Sequence, residues 1–90
     1  MSEIVLINVT GRDKPGLTSS LTAILARYQV NILDIGQAVI HDALSLGVLV
    51  EILPQDEPSP LLKDLVFGQA RKFFIDLSKD NFKIFTGKLN

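Results

Sequence analysis

From Ala43 to Leu53 the chain alternates, with Leu44, Leu46, Val48, Val50 and Ile52 on one side and Ser45, Gly47 and Glu51 on the other. A helix cannot use that pattern, because its apolar stripe recurs every 3.6 residues, whereas a strand puts successive side chains on opposite faces. Alternation of this kind belongs to a strand with one buried and one wet face, the usual state of an antiparallel sheet. Directly upstream, Val30 to Ile40 is rich in Val, Ile and Leu, and His41-Asp42 makes a tight turn between the two runs. The pair therefore reads as a β-hairpin.

The rest of the chain falls into place around it. Ile4 to Thr10 is a short β-branched run and reads as a buried strand, followed by a turn-forming segment from Gly11 to Gly16. Leu17, Leu21, Ile24, Leu25 and Tyr28 recur at helical spacing. Pro54 to Pro60 is a polar, Pro-rich loop. Leu61, Leu62, Leu65, Val66, Ala70, Phe73, Phe74 and Leu77 form a second helical stripe, with Gly68 in its middle, and Phe82, Ile84 and Thr86 close the chain as a strand. The order is β-α-β-β-α-β in one domain spanning residues 1–90. Right-handed crossovers put both helices on one face of a four-stranded antiparallel sheet, an α+β, ferredoxin-like sandwich. The first two strands, however, are apolar on both faces: Ile4 and Leu6 against Val5 and Ile7, Ile32 and Ile40 against Leu33 and Ile35. A strand with one wet face should alternate more cleanly, so another copy or another domain is expected to cover the open face or an edge.

Composition then removes function classes. The chain has 90 residues, a net charge of −1, no cysteine and one histidine. A chain of this size buries only roughly 60–65% of its unfolded surface, so its core is thin and oligomerisation is a common remedy. Nucleic-acid binding needs clustered Lys and Arg and stacking aromatics, which the third strand lacks. Disulfides, thiol catalysis and cysteine-based metal carriage are excluded, and His41 alone cannot form a multi-histidine site. No apolar run approaches the ~20 residues of a membrane span and no signal-peptide pattern opens the chain, so a cytoplasmic domain is the expectation. An acyl-phosphate hydrolase of this fold would set Arg12 on phosphate and Asn31 on water, but Asp13 beside Arg12 would repel the anion.

A zwitterion fits better. A helix starting near Pro15 and Gly16 offers unpaired N–H groups and a positive dipole end to a carboxylate. Gly16 has no Cβ and lets a ligand approach the backbone, while Pro15 suits the first helical position. Asp13 can accept from an ammonium group, and Asn31 can supply an amide. Each residue also has a plainer reading: Asp13 as a helix cap, Gly16 as a turn former, Asn31 as a partner for backbone groups at a strand start, Arg12 and Lys14 as solvated charges. Asp34 reads as a solvated carboxylate on the second strand, which also carries Gln37.

The run Val9-Thr10-Gly11-Arg12-Asp13-Lys14-Pro15-Gly16-Leu17, followed by Val30-Asn31-Ile32-Leu33-Asp34-Ile35, resembles an ACT domain. Gln37 to Val50 and Pro60-Leu61-Leu62-Lys63-Asp64-Leu65 are similar to the N-terminal regulatory region of ACT-containing bacterial phosphoserine phosphatases. The resemblance implies a βαββαβ fold and a regulatory domain that senses serine, or glycine, in serine biosynthesis. It also implies a ligand held at a homodimer interface, between Asp13, Lys14, Pro15, Gly16 and Leu17 of one copy and Asn31, Ile32 and Leu33 of another. The phosphatase core, with its nucleophilic Asp in an Asp-x-Asp-x-Thr setting and its Mg, has no counterpart here; Ile75-Asp76-Leu77-Ser78 does not match. No catalytic residue, cofactor or metal is therefore expected of this chain. It is expected to be either part of a longer enzyme or a free-standing ACT protein, and a dimerisation module without ligand is the alternative.

Overall fold

A computed structural model describes residues 3–28, 30–52 and 68–89. The elements are β1 (Glu3–Arg12), α1 (Leu17–Ala26), β2 (Asn31–Ile40), β3 (Ala43–Ile52), α2 (Gln69–Lys79) and β4 (Lys83–Lys88). The four strands form one sheet in the order β2-β3-β1-β4, and every neighbouring pair is antiparallel. This is the ferredoxin-like arrangement that the order of periodicities implies.

The alternation in β3 is realised residue by residue. Leu44, Leu46, Val48, Val50 and Ile52 are all buried, as are Val5, Ile7 and Val9 of β1 beside them. Leu17, Leu21 and Leu25, four residues apart on α1, and Leu77 of α2 pack onto that face, so the core is a single layer between sheet and helices.

Three local expectations are corrected. Gly11 and Arg12 belong to β1, not to the loop. Gly11 faces the helices because it pairs with Leu44, and the buried ring of Phe82 lies over it; an added Cβ would meet Phe82 Cδ1 at 2.5 Å. Its missing side chain is thus a packing requirement of the core. Pro15 is not the first helical residue: Gly16, with φ 82, is the cap, and that left-handed backbone delays the helix to Leu17. Gly68 caps the start of α2 with extended backbone and does not sit inside a helix. The polar loop from Pro54 to Pro60 and the apolar positions Leu61, Leu62, Leu65 and Val66 lie outside the described residues.

The β2–β3 turn consists of His41 and Asp42, and His41 takes a φ of 51. A side chain in that region costs roughly 1 kcal/mol, of which part returns as the unfolded-state entropy a glycine adds. His41→Gly is therefore expected to stabilise the domain by about 0.5 kcal/mol in urea unfolding, with no change in the slope. Asn81, at φ 67 just past α2, is a residue type that tolerates this conformation at a helix end.

Candidate functional site

With β1 ending at Arg12 and α1 starting at Leu17, the connecting loop is reduced to Asp13–Gly16. It is anchored from several directions. The Asp13 N–H donates to the Asp42 carbonyl at 2.7 Å, tying the loop to the β2–β3 turn, and the Leu17 N–H donates to the Lys14 carbonyl at 3.2 Å. Lys14 Nζ reaches Asp80 Oδ2 at 3.3 Å, linking the loop to the end of α2. Both of those side chains are more than half exposed, at 55% and 57%, so the pair holds position weakly. Lys14→Met is expected to change unfolding free energy by less than about 0.5 kcal/mol in a denaturant titration.

Asp13 does not cap the helix: no side chain caps α1, and its first turn holds no acidic residue. The start of a ten-residue helix therefore presents its N–H groups and dipole without a carboxylate of its own. Pro15 and Gly16 are exposed, and an added Cβ at Gly16 would meet nothing within 4 Å. The backbone there is open to close approach. The Leu17 side chain is buried at 4% exposure in the core and is closed to a ligand, and its N–H is already given to Lys14. Carboxylate-favouring N–H groups and an exposed Asp13 carboxylate thus lie four residues apart, an arrangement chemically matched to a zwitterion.

Asn31, Ile32 and Leu33 are not brought to this loop. β2 runs parallel to β1 with β3 between them, and the register places Asn31 level with Ile4, whereas Arg12 is level with Ile40. The eight residues between those levels span roughly 26 Å of strand. Within one chain the two groups of candidate residues therefore sit at opposite ends of the sheet. Asn31 has a partner of its own: its Nδ2 donates to Glu51 Oε1 at 3.3 Å across the hairpin. Leu33 is the extra residue of a bulge, since Ile32 pairs with Val50 and Asp34 with Leu49.

All ten residues of β2 are exposed, among them Ile32, Leu33, Ile35, Val39 and Ile40. The two-faced apolar strand of the sequence is the edge of the sheet, and β1, its equally apolar counterpart, is central. Gln37 is a contact that sequence reasoning left without a role. It pairs with the buried Leu46 and so stands on the helix-facing side of β2, where its Oε1 accepts from Thr18 Oγ1 at 2.6 Å. The available signal was a polar residue at a position whose neighbours on that face are apolar. Among the described residues no group of three His, Cys, Asp or Glu side chains could hold a metal ion. No helix among them is long and apolar enough to cross a membrane.

A family model described as ACT domain matches residues 3–76. Phosphoserine phosphatase SerB2 of Mycobacterium tuberculosis is 54% identical over 46 residues, which is 51% of this chain and 11% of that protein. The chain thus spans about a tenth of that relative's length. A UPF0237 protein of Neisseria meningitidis serogroup B is 30% identical over 80 residues, 89% of each chain. Among solved structures, an ACT domain protein from Streptococcus pneumoniae superposes with a TM-score of 0.66 at 22% identity, covering 96% of this chain and 89% of that one. A putative glycine cleavage system transcriptional repressor superposes with a TM-score of 0.72 at 14% identity, covering 100% of this chain and 47% of that one. Likeness at these identities concerns the fold.

Proposed function

We propose, for a chain that belongs to the ACT domain family, a non-catalytic regulatory role: it binds a free amino acid, serine first and glycine next, at a homodimer interface. The observation that carries this reading is the separation of the candidate residues to the two ends of an exposed edge strand. Antiparallel pairing of β2 with β2 of a second copy sets the Asn31 end of one strand beside the Ile40 end of the other. That end adjoins Asp42, whose carbonyl holds the Asp13 loop. One two-fold axis then completes two equivalent sites, each with Asp13–Leu17 from one copy and Asn31–Leu33 from its partner. The helix start and Gly16 take the carboxylate, Asp13 takes the ammonium group, and the Asn31 amide turns from Glu51 to the ligand.

Serine is placed first because of the local identity to SerB2, whose name assigns it a phosphatase activity on phosphoserine. On that reading the chain is the sensing part of such an enzyme in the cytoplasm, and the Mg of the phosphatase chemistry belongs elsewhere. The UPF0237 relative, matched over 89% of its own length, favours a second reading in which the domain stands alone. Calorimetric titration with serine, glycine and larger amino acids is the test. Heat with serine at millimolar concentration is expected, together with a roughly tenfold weaker response for Asp13→Ala at a charge-assisted contact. Silence with every amino acid, and no thermal shift, would remove the sensor and leave a dimerisation module. No phosphate release from phosphoserine is expected from this chain.

A further inference from the structure

The face of the sheet turned away from the helices carries a second organised surface, distinct from the β2 edge. Leu89 lies opposite Ile4, its N–H donating to the Ile4 carbonyl at 2.8 Å, and with Leu6, Leu49 and Phe85 these side chains share the open face. Phe85 and Leu89 are 57% and 58% exposed. The Phe85 ring lies across Gly87, where an added Cβ would meet its Cζ at 2.6 Å, so it closes the gap to Leu6. The five residues form one apolar corner, at the β4 and β1 side and near the Glu3 end of β1.

Charges occupy the two corners flanking it. Lys83, opposite Thr10, and Arg12 stand at the far end of β4 and β1. Asp34, opposite Leu49, and Glu51 stand on β2 and β3, level with the apolar corner. A two-fold axis running diagonally in the plane of the face, through the apolar corner, leaves that corner facing itself. The same axis exchanges the other two corners, so that each basic corner meets the acidic corner opposite. Strands 4.8 Å apart and same-face residues about 6.8 Å apart bring Lys83 within side-chain reach of the opposite Asp34. Diagonal symmetry means strands crossing near 90°, one of the two ways that sheets pack face to face.

We infer that the open face is a self-association surface whose occupant is a second copy of this chain, stacked orthogonally over the Ile4, Leu6, Leu49, Phe85 and Leu89 corner, with Lys83 of each copy against Asp34 of the other. The apolar corner and its charged rim match the layout of protein interfaces. The sheet face projects roughly 400 Å², at the small end for such contacts, so association depends on concentration. This surface stands whether or not the β2 edge pairs.

Sedimentation equilibrium of the full chain carrying Ile35→Lys, which blocks the edge, tests it. Val39→Lys replaces that variant if it fails to fold by circular dichroism. A concentration-dependent dimer is expected. Phe85→Asp, or Phe85→Ser as the milder change, abolishes it, and Lys83→Glu or Asp34→Lys alone weakens it by roughly tenfold. The double reversal Lys83→Glu with Asp34→Lys restores association to within about threefold of the starting value. A strict monomer in the edge-blocked chain overturns the proposal. So does a dimer indifferent to Phe85, or a double reversal no better than its singles. Serine titration of Phe85→Ser in a chain without the edge block reads the edge site separately.

Discussion

Replacing Gly11 with alanine is expected to destabilise the domain by about 1–3 kcal/mol, the usual cost of forcing an extra carbon into a packed core. The added methyl would come within 2.5 Å of Phe82 Cδ1 and 2.9 Å of Cε1, and that ring is buried at 6% exposure. Either the ring moves out of the core or β1 moves away from it. In a domain of this size, such a loss lowers the melting temperature by roughly 5–20 °C. Thermal unfolding followed by circular dichroism checks it. The interaction is also pairwise. In a Phe82→Ala background, Gly11→Ala should cost less than in the parent by more than about 0.5 kcal/mol, because the ring atoms it meets have gone. Equal costs in both backgrounds would place the effect in the backbone and not in the ring.

The second large effect concerns the edge. Ile35→Lys places a charge in the middle of an exposed strand, at a position 42% exposed and opposite the fully buried Val48. An inserted charge on an edge blocks pairing with another strand. If β2 pairs with β2 of a second copy, this change abolishes both the edge dimer and serine binding, although Ile35 belongs to neither group of ligand residues. The expected loss of affinity is more than about 100-fold, since half the site leaves with the partner. Sedimentation and calorimetry on the same sample read the two losses together. Serine binding that survives in the edge-blocked chain would show that Asp13–Leu17 suffices without the β2 edge of a partner.

The fold was largely legible in the chain because its strongest signals are local. The period of two in Leu44 to Ile52 and the spacing of Leu17, Leu21 and Leu25 each fix which face is buried, and burial follows both patterns. The positions the local pattern misplaces turn on glycines, one through a distant partner and two through backbone conformation at a helix start. Gly11 reads as a loop residue from its neighbours alone, and Phe82, 71 positions later, places it in the core. Pro15 looked like a helix start, but the left-handed Gly16 holds the helix back by two residues. Gly68 looked like a weak point inside a helix, and it is the place where α2 begins.

The site divides the same way. Short-range chemistry marked Asp13 to Gly16, since a Pro-Gly turn before an amphipathic helix has a meaning independent of the rest of the chain. Asn31 was also visible, but where it lies was not: strand register alone sets it eight residues along the sheet from Arg12 and gives it Glu51 as a partner. Gln37 joins Thr18 only because the crossover brings α1 over β2. By itself the sequence determined the order of the elements, the buried faces of β3 and α1 and a loop whose chemistry suits a zwitterion, all set by contacts within a turn or a strand. Only the tertiary structure decided which strand is the edge and which residues stand at its two ends, because strand order and register depend on pairings between distant segments.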